Sequence, residues 1–386
     1  MVARKRSRLV KALQAVEDPR RPGGNLRHSL VDILVLSFCG ILSGASDFAE
    51  VIEFVDARID FFKQFLRLSH GVPSEDTFER VFARVKPMQL QAALIDWLKE
   101  VRQQSETTET DSKQPRVVAI DGKTMRRSFD TKSGLGALHV VSAWASEEGL
   151  ILGQIAVDQK SNEITAIPKL LELLDLEDSV VTIDAAGCQK AIAGKIIDQK
   201  GDYLLALKGN HPKFYEQVID FFLEQDDKPS SGLRRIVQKE KGHGRSERRE
   251  VVVAAVPADF PGRQQWPGLK TLVMISRQSV ETLTQKESGD VRYFLSSLPA
   301  KAKLSGHIGR THWGIENGLH WSLDVTFKED LSRLRKDHAP ENLAMLNRIA
   351  LSLVKGEAST KASLKCKRKR AGWNTDYLMT LLTSQA

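Results

Sequence analysis

Two segments end in the same way, with an apolar run suited to a protein interior stopping at an aspartate followed by a small residue. They are Val117-Val118-Ala119-Ile120-Asp121-Gly122 and Val180-Val181-Thr182-Ile183-Asp184-Ala185. An ionised carboxylate fused to a buried strand needs a donor, a cation or a metal, because burying it unpaired is costly. Taken singly, each aspartate reads equally well as a cap for the turn that follows. Taken together, two carboxylates at the ends of neighbouring strands converge where an open α/β sheet binds its ligands. Oxygen ligands of this kind suit magnesium, and two ions about 3.5–4 Å apart serve phosphodiester chemistry by activating the attacking oxygen and stabilising the leaving one. Such a site calls for a third acid.

The best candidate is Glu316, within Arg310-Thr311-His312-Trp313-Gly314-Ile315-Glu316-Asn317-Gly318-Leu319-His320-Trp321. His312, Glu316 and His320 recur every four residues and so share nearly one face of a helix. One reading completes a magnesium site with Glu316 and turns the histidines to DNA, while another makes a zinc site of all three. Zinc favours nitrogen or sulfur around a tetrahedron, and three ligands on successive turns span about 12 Å, too far for one ion. A third reading is an amphipathic helix with a solvated polar face and Trp313 and Trp321 in the core. Asp324 and Asp330 are alternative third acids.

The elements that would position these residues fall into two halves. From 29 to about 103 the apolar residues recur at helical spacing, as in Leu90, Ala93, Leu94, Trp97 and Val101, with Ser74 placed to cap one helix. This predicts an all-helical N-terminal domain over 1–103, then a polar linker over 104–115 without a large apolar residue. Beyond it the pattern changes to β-branched runs at 116–121, 138–145 and 150–157, a helix at about 164–174, a strand at 179–184, a helix at about 189–198 and a strand at 203–208. Such alternation predicts an α/β class with helices packed on a sheet. A β-rich insertion is expected at about 230–299, with strands at 249–255, 270–276 and 291–297. Helical character returns from 305 to 355, and 356–386 reads as a basic tail.

Composition sets outer limits. The chain has 386 residues, 57 Lys+Arg against 49 Asp+Glu, and a formal charge of +8. That balance favours a polyanionic partner, a nucleic acid or an acidic membrane surface. The longest apolar run, Val31 to Ala45, falls short of the ~20 residues that cross a bilayer and predicts a buried helix. Arg4, Lys5, Arg6 and Arg8 lead into Val16-Glu17-Asp18-Pro19 rather than an apolar segment, so no secretory signal is expected and the location expected is cytoplasmic. Cys39, Cys188 and Cys366 lack the spacing of a disulfide framework or a cysteine zinc site.

Ala-Ile-Asp121-Gly-Lys123, Val-Thr-Ile-Asp184-Ala, Ala-Leu-Lys208-Gly-Asn210 and His312-Trp-Gly-Ile-Glu316-Asn together resemble insertion-sequence transposases of the DDE class, in the H-repeat-associated branch. The resemblance covers nearly the whole chain, since Asp18-Pro19-Arg20-Arg21 through Phe54 is similar to the helical domain that accompanies this core. It implies a ribonuclease-H-like catalytic core of order βββαβαβ with a β-rich insertion. It further implies two magnesium ions, with manganese as substitute, on Asp121, Asp184 and Glu316, and a homodimer on paired DNA ends. Related transposases carry a Tyr, Arg, Glu, Lys signature around the glutamate, where this sequence has Gly309, His312, Glu316 and Leu323. The arginine's role would pass to His312 or Arg310 and the lysine's to Lys328.

DNA contacts are expected from Lys123, Arg126 and Arg127 beside the first aspartate, from Lys208 and Asn210, from His243 and Arg245 in the basic stretch 234–249, and from Arg310, His312, Trp313 and Asn317. Basic clusters at 4–11 and 361–370 are further candidates, since each would neutralise phosphates without reading sequence. The expected function is a transposase that hydrolyses phosphodiester bonds at mobile-element ends and joins the freed 3′-hydroxyl to target DNA. The alternatives are a catalytically silent DNA-binding relative and a magnesium nuclease without strand transfer.

Overall fold

The computed structural model describes residues 2–23, 26–103, 114–131, 133–226, 232–242 and 244–383. Most of the expected linker, residues 104–113, and the candidate His243 lie outside the described residues. Helices come first: α1 (Val2–Leu13), α2 (Leu30–Leu42), α3 (Phe48–Asp56), α4 (Ile59–Phe62), α5 (Glu75–Arg84) and α6 (Pro87–Gln103). Next come β1 (Arg116–Thr124), β2 (His139–Ala145), β3 (Leu150–Ala156), α7 (Glu163–Leu171), β4 (Ser179–Ile183), α8 (Lys190–Asp198), β5 (Asp202–Leu207) and α9 (Pro212–Asp226). The remainder is β6 (Arg234–Gly242), β7 (Arg245–Ala255), β8 (Thr271–Glu281), β9 (Glu287–Ser296), α10 (Ala302–His312), α11 (Trp321–Val325), α12 (Ala339–Gly356), α13 (Leu364–Trp373) and α14 (Thr375–Thr383).

The strands form a nine-stranded sheet in the order β3-β2-β1-β4-β5-β9-β8-β7-β6. β1 is antiparallel to β2 and parallel to β4, and β4 is parallel to β5. Side chains of β1 alternate between faces, as the strand period demands. Val118 and Ile120 enter a core with α7, α8 and α9, while Val117 and Ala119 enter the opposite face, covered by α10 and α12. Because both faces are buried, β1 reads as a continuous apolar run.

The β-rich stretch expected at about 230–299 extends the main sheet, since β9 pairs antiparallel with β5 and β6–β9 follow from it. Its edge strand β6 was unforeseen, as Arg234, Arg235, Lys239, Glu240 and Lys241 mask any strand pattern. The stretch expected as a basic tail carries α13 and α14 over its described residues. Ala371, Tyr377, Leu378, Leu381 and Leu382 of α13 and α14 are buried, and the Arg368 guanidinium donates to the carbonyls of Ile41 and Ala45 at the end of α2. A helix leaves its last carbonyls without intrahelical donors, and here a distant arginine satisfies them.

The six leading helices likewise do not keep a core to themselves. Phe38, Phe78, Phe82 and Trp97 belong to one apolar cluster with Leu346 and Ile349 of α12, Leu378 of α14, and Ala119 and Trp144 of the sheet. Ser74 precedes α5 as expected, but its hydroxyl bonds Thr77 Oγ1 at 3.0 Å and makes no cap bond to the backbone. α2, expected as a buried helix, is buried along nearly its whole length. Among the described residues no helix is long and apolar enough to cross a membrane.

Candidate active site at the β1–β4 rim

The parallel pairing of β1 with β4 ends at Ile120 opposite Ile183. The next residue on each strand is an aspartate, so Asp121 and Asp184 leave neighbouring strands at one level, where the strand spacing is about 4.8 Å. β1 itself runs on to Thr124, paired with β2, and places Asp121 opposite Ser142. Asp184 also caps the turn after β4, since its Oδ1 accepts from the amides of Ala186 at 2.9 Å and Gly187 at 3.3 Å. The capping reading is therefore met at Asp184.

Glu316 arrives from the α10 side of the sheet. α10 lies close on the strands because Gly306 and Gly309 face them; a Cβ at Gly309 would stand 2.9 Å from Ile275 Cδ1. This glycine stands where the related signature has a tyrosine. After α10 the chain widens into a π-helical segment over Ile315–His320. π turns are rare and recur at functional sites. Of the histidines on either side of Glu316, His312 bonds β4, its Nδ1 2.9 Å from Thr182 Oγ1, while His320 only approaches β1, its Nδ1 3.6 Å from Asp121 Oδ2 and beyond hydrogen-bond reach. Glu316 is exposed between them.

The electrostatics separate acids from histidines. Burial pushes Asp121 up to about 7; the Gly122 amide opposes this, and the charges of Glu163, Asp184 and Glu316 add to it. Burial drives His312 down to about 4 and His320 down to about 3, so both are neutral and neither is a counter-charge to the acids. Among the described residues no Lys or Arg pairs with Asp121, Asp184 or Glu316. Nor, among them, does any group of three or more His, Cys, Asp or Glu stand close enough to enclose a metal ion.

A second set of acids lies next to the first, each beside a cation. Lys123, expected to meet phosphate, is 7% exposed, and its Nζ lies 2.7 Å from Asp324 Oδ1 and 3.0 Å from Asp330 Oδ1. Arg126 reaches Asp330 Oδ2 at 3.2 Å, and the wholly buried Arg348 reaches Glu329 Oε1 at 2.8 Å. Asp324 and Asp330, the alternative third acids, are thus bound to cations. Leu323 is buried where the related signature has lysine, and Lys328 lines a groove with Asp47, Glu50, Glu75 and Glu79 instead.

The other expected DNA contacts scatter. Arg127, Lys208, Arg245 and Asn317 are exposed. Asn210 donates its amide to Ala185 O at 2.7 Å and so ties down the loop after Asp184. Arg310 pairs with Glu240 of β6, and half-buried Trp313 lies under the Arg292 guanidinium, 4.2 Å from its carbon. Trp321 is 59% exposed, against the reading that put it in the core. Missed altogether was Glu163 at the start of α7, whose Oε1 is 2.7 Å from His139 Nε2. The pair sits over Gly122, where a Cβ would come within 2.1 Å of that oxygen. A lone acid at a helix start is ordinary, and only the pairing of β1 with β2 brings His139 to it.

Residues 112–353 match the family described as "Transposase DDE domain", and residues 10–98 match "DDE_Tnp_1-associated". The chain is 39% identical over 366 residues to "Putative transposase YncI" of Escherichia coli O157:H7, covering 94% of this chain and 92% of that one. It is 37% identical over 381 residues, 97% of either chain, to "H repeat-associated putative transposase YhhI" of Escherichia coli strain K12. A short protein of the same strain named "Inactive transposase YbfQ" is 37% identical over 59 residues, 15% of this chain. On these matches the chain belongs to the DDE transposase family, in its H-repeat-associated branch.

Proposed function

We propose that the chain hydrolyses phosphodiester bonds at the ends of a mobile element and transfers the freed strand to target DNA, with Asp121, Asp184 and Glu316 as its reacting-site acids. The observation that carries this reading is a contrast in charge. Asp324, Glu329 and Asp330 each have a Lys or Arg partner, whereas among the described residues none of the three rim acids has one. Acids kept apart from cations in a chain of net charge +8 are held for a charge that comes from outside.

Magnesium, with manganese as substitute, fits these donors, because it takes one or two protein carboxylates and completes its shell with water and substrate phosphate. Bound there, a pair of ions would stabilise charge on the attacking and leaving oxygens. The protein's part is positioning: β1 and β4 set the two aspartates level, and neutral His312, bonded to Thr182 of β4, fixes the segment bearing Glu316 without competing for its charge. Ribonuclease-H-like architecture agrees with the order β3-β2-β1-β4-β5 at the heart of the sheet. DNA would lie along the exposed cations Arg126, Arg127, Lys208 and Arg245, with two copies of the chain on paired ends.

The test is cleavage and joining of labelled DNA carrying the element's own ends, in magnesium, with Asp121→Asn, Asp184→Asn and Glu316→Gln. Each variant should bind DNA and lose roughly a thousandfold in rate, the scale of several kcal/mol of charge stabilisation. Cut but unjoined products from the parent would leave a nuclease, and full activity in a variant would remove that acid from the site.

A further inference from the structure

The paired acids that follow Glu316 are gripped from two sides. Lys123 stands two residues beyond Asp121 on β1 and hence on the same face of the sheet. Its Nζ holds Asp324, in the helix that continues directly from the π segment, and Asp330, in the turn after it. From the other side, Arg348 of α12 binds Glu329 Oε1 at 2.8 Å and donates through Nε to Ser142 Oγ at 3.1 Å. Ser142 is the cross-strand partner of Asp121. Between them Lys328 takes a left-handed backbone, φ 55°, which turns Glu329 into the buried network. Both cations therefore tie one short stretch, 324–330, to the immediate surroundings of Asp121.

We propose that Lys123 is a positioning residue that fastens the Glu316 segment to the strand bearing Asp121 and so sets the spacing of these two carboxylates. The inference rests on the proposed function for its chemical meaning, but the tether is a property of the fold. A phosphate contact is the competing role, and geometry opposes it: the ammonium is buried and already faces carboxylates at 2.7 and 3.0 Å.

Lys123→Met, close to lysine in length and uncharged, separates the two roles. The tether predicts unchanged affinity for end DNA with unchanged salt dependence, and a cleavage rate on saturating DNA lower by about a hundredfold, the effect of an ångström-scale misplacement. It also predicts that Mn2+ binding, read by paramagnetic resonance without DNA, weakens by about tenfold, as when a supporting partner of a metal ligand is removed. Lys123→Arg, which can still span two carboxylates, should recover much of both losses. A phosphate contact would instead weaken DNA binding and lower the salt slope by about one ion, with the rate on bound DNA intact, and that result overturns the proposal. Where Lys123→Met fails to fold, Lys123→Met with Asp324→Asn and Asp330→Asn removes the stranded charges and is read in the same way. Should the parent neither cleave DNA nor bind Mn2+, the proposed function fails. Hydrogen exchange over 315–331 then decides the tether, since faster exchange there in Lys123→Met keeps it and unchanged exchange ends it.

Discussion

Glu341, in the first turn of α12, shows how one buried acid can shape the behaviour of the whole chain. Burial pushes its carboxyl up to about 6, although the Ala156 amide bonds it and works the other way. A carboxyl whose pKa is higher folded than unfolded lets the protein keep its full stability below the unfolded value and lose some as pH rises through the folded one. The window here runs from about 4.5 to 6. Glu341→Gln should therefore stabilise the protein by on the order of 1–2 kcal/mol at pH 7 and by little at pH 4, as urea unfolding at the two values would show. Equal gains at both would assign the effect to packing. Asp121 differs in kind, since part of its rise comes from neighbouring acids. Such residues were legible unequally in the sequence. Asp121 and Asp184 announced themselves because each interrupts an apolar run, whereas the partners of Lys123 lie some 200 residues away and leave no local trace.

At the scale of elements, the π segment over Ile315–His320 has the most direct bearing on the site. A π turn holds one residue more than the α turn it replaces. Deleting Gly318 should return the segment to α pitch, keep α11 and α12 in place, and rotate Glu316 by about 100° relative to His320. The expected variant folds with parental circular dichroism, binds DNA and does not cleave it; retained cleavage would show that the widened turn has no part in placing the acid. The i, i+4, i+8 spacing of His312, Glu316 and His320 was readable, but it reads as an ordinary helix. The extra residue appears only when His312 must meet β4 while His320 approaches β1. Strand β6 was hidden for a different reason: an edge strand studded with charge guards against pairing with other chains and so lacks the apolar alternation by which strands are recognised.

Across the whole molecule the catalytic sheet and the flanking helices share one interior. α12 packs on β3 as well as on α2, α5 and α6, and α1 packs on α14. A fragment of residues 112–353, the stretch matched by the DDE domain family, would expose Trp144, Leu346 and Ile349 where the leading and trailing helices now cover them. It should keep helical far-ultraviolet dichroism yet show weak near-ultraviolet signals and bind hydrophobic dyes, whereas sharp cooperative unfolding would prove the sheet autonomous. This sharing was not legible in the sequence, because apolar periodicity tells which face of a helix is buried and not which helix covers it. Shared burial also ties assembly to synthesis. Leu9 and Leu13 of α1 lie in the same cluster as Leu378 and Leu381 of α14, so the earliest helix waits on the ribosome for the last, a delay of roughly 20–80 s at ordinary elongation rates. A copy of the gene broken near its end would thus yield a chain that keeps Asp121, Asp184 and Glu316 but lacks the helices that complete its interior, and it would fall silent through misfolding with every rim acid unchanged.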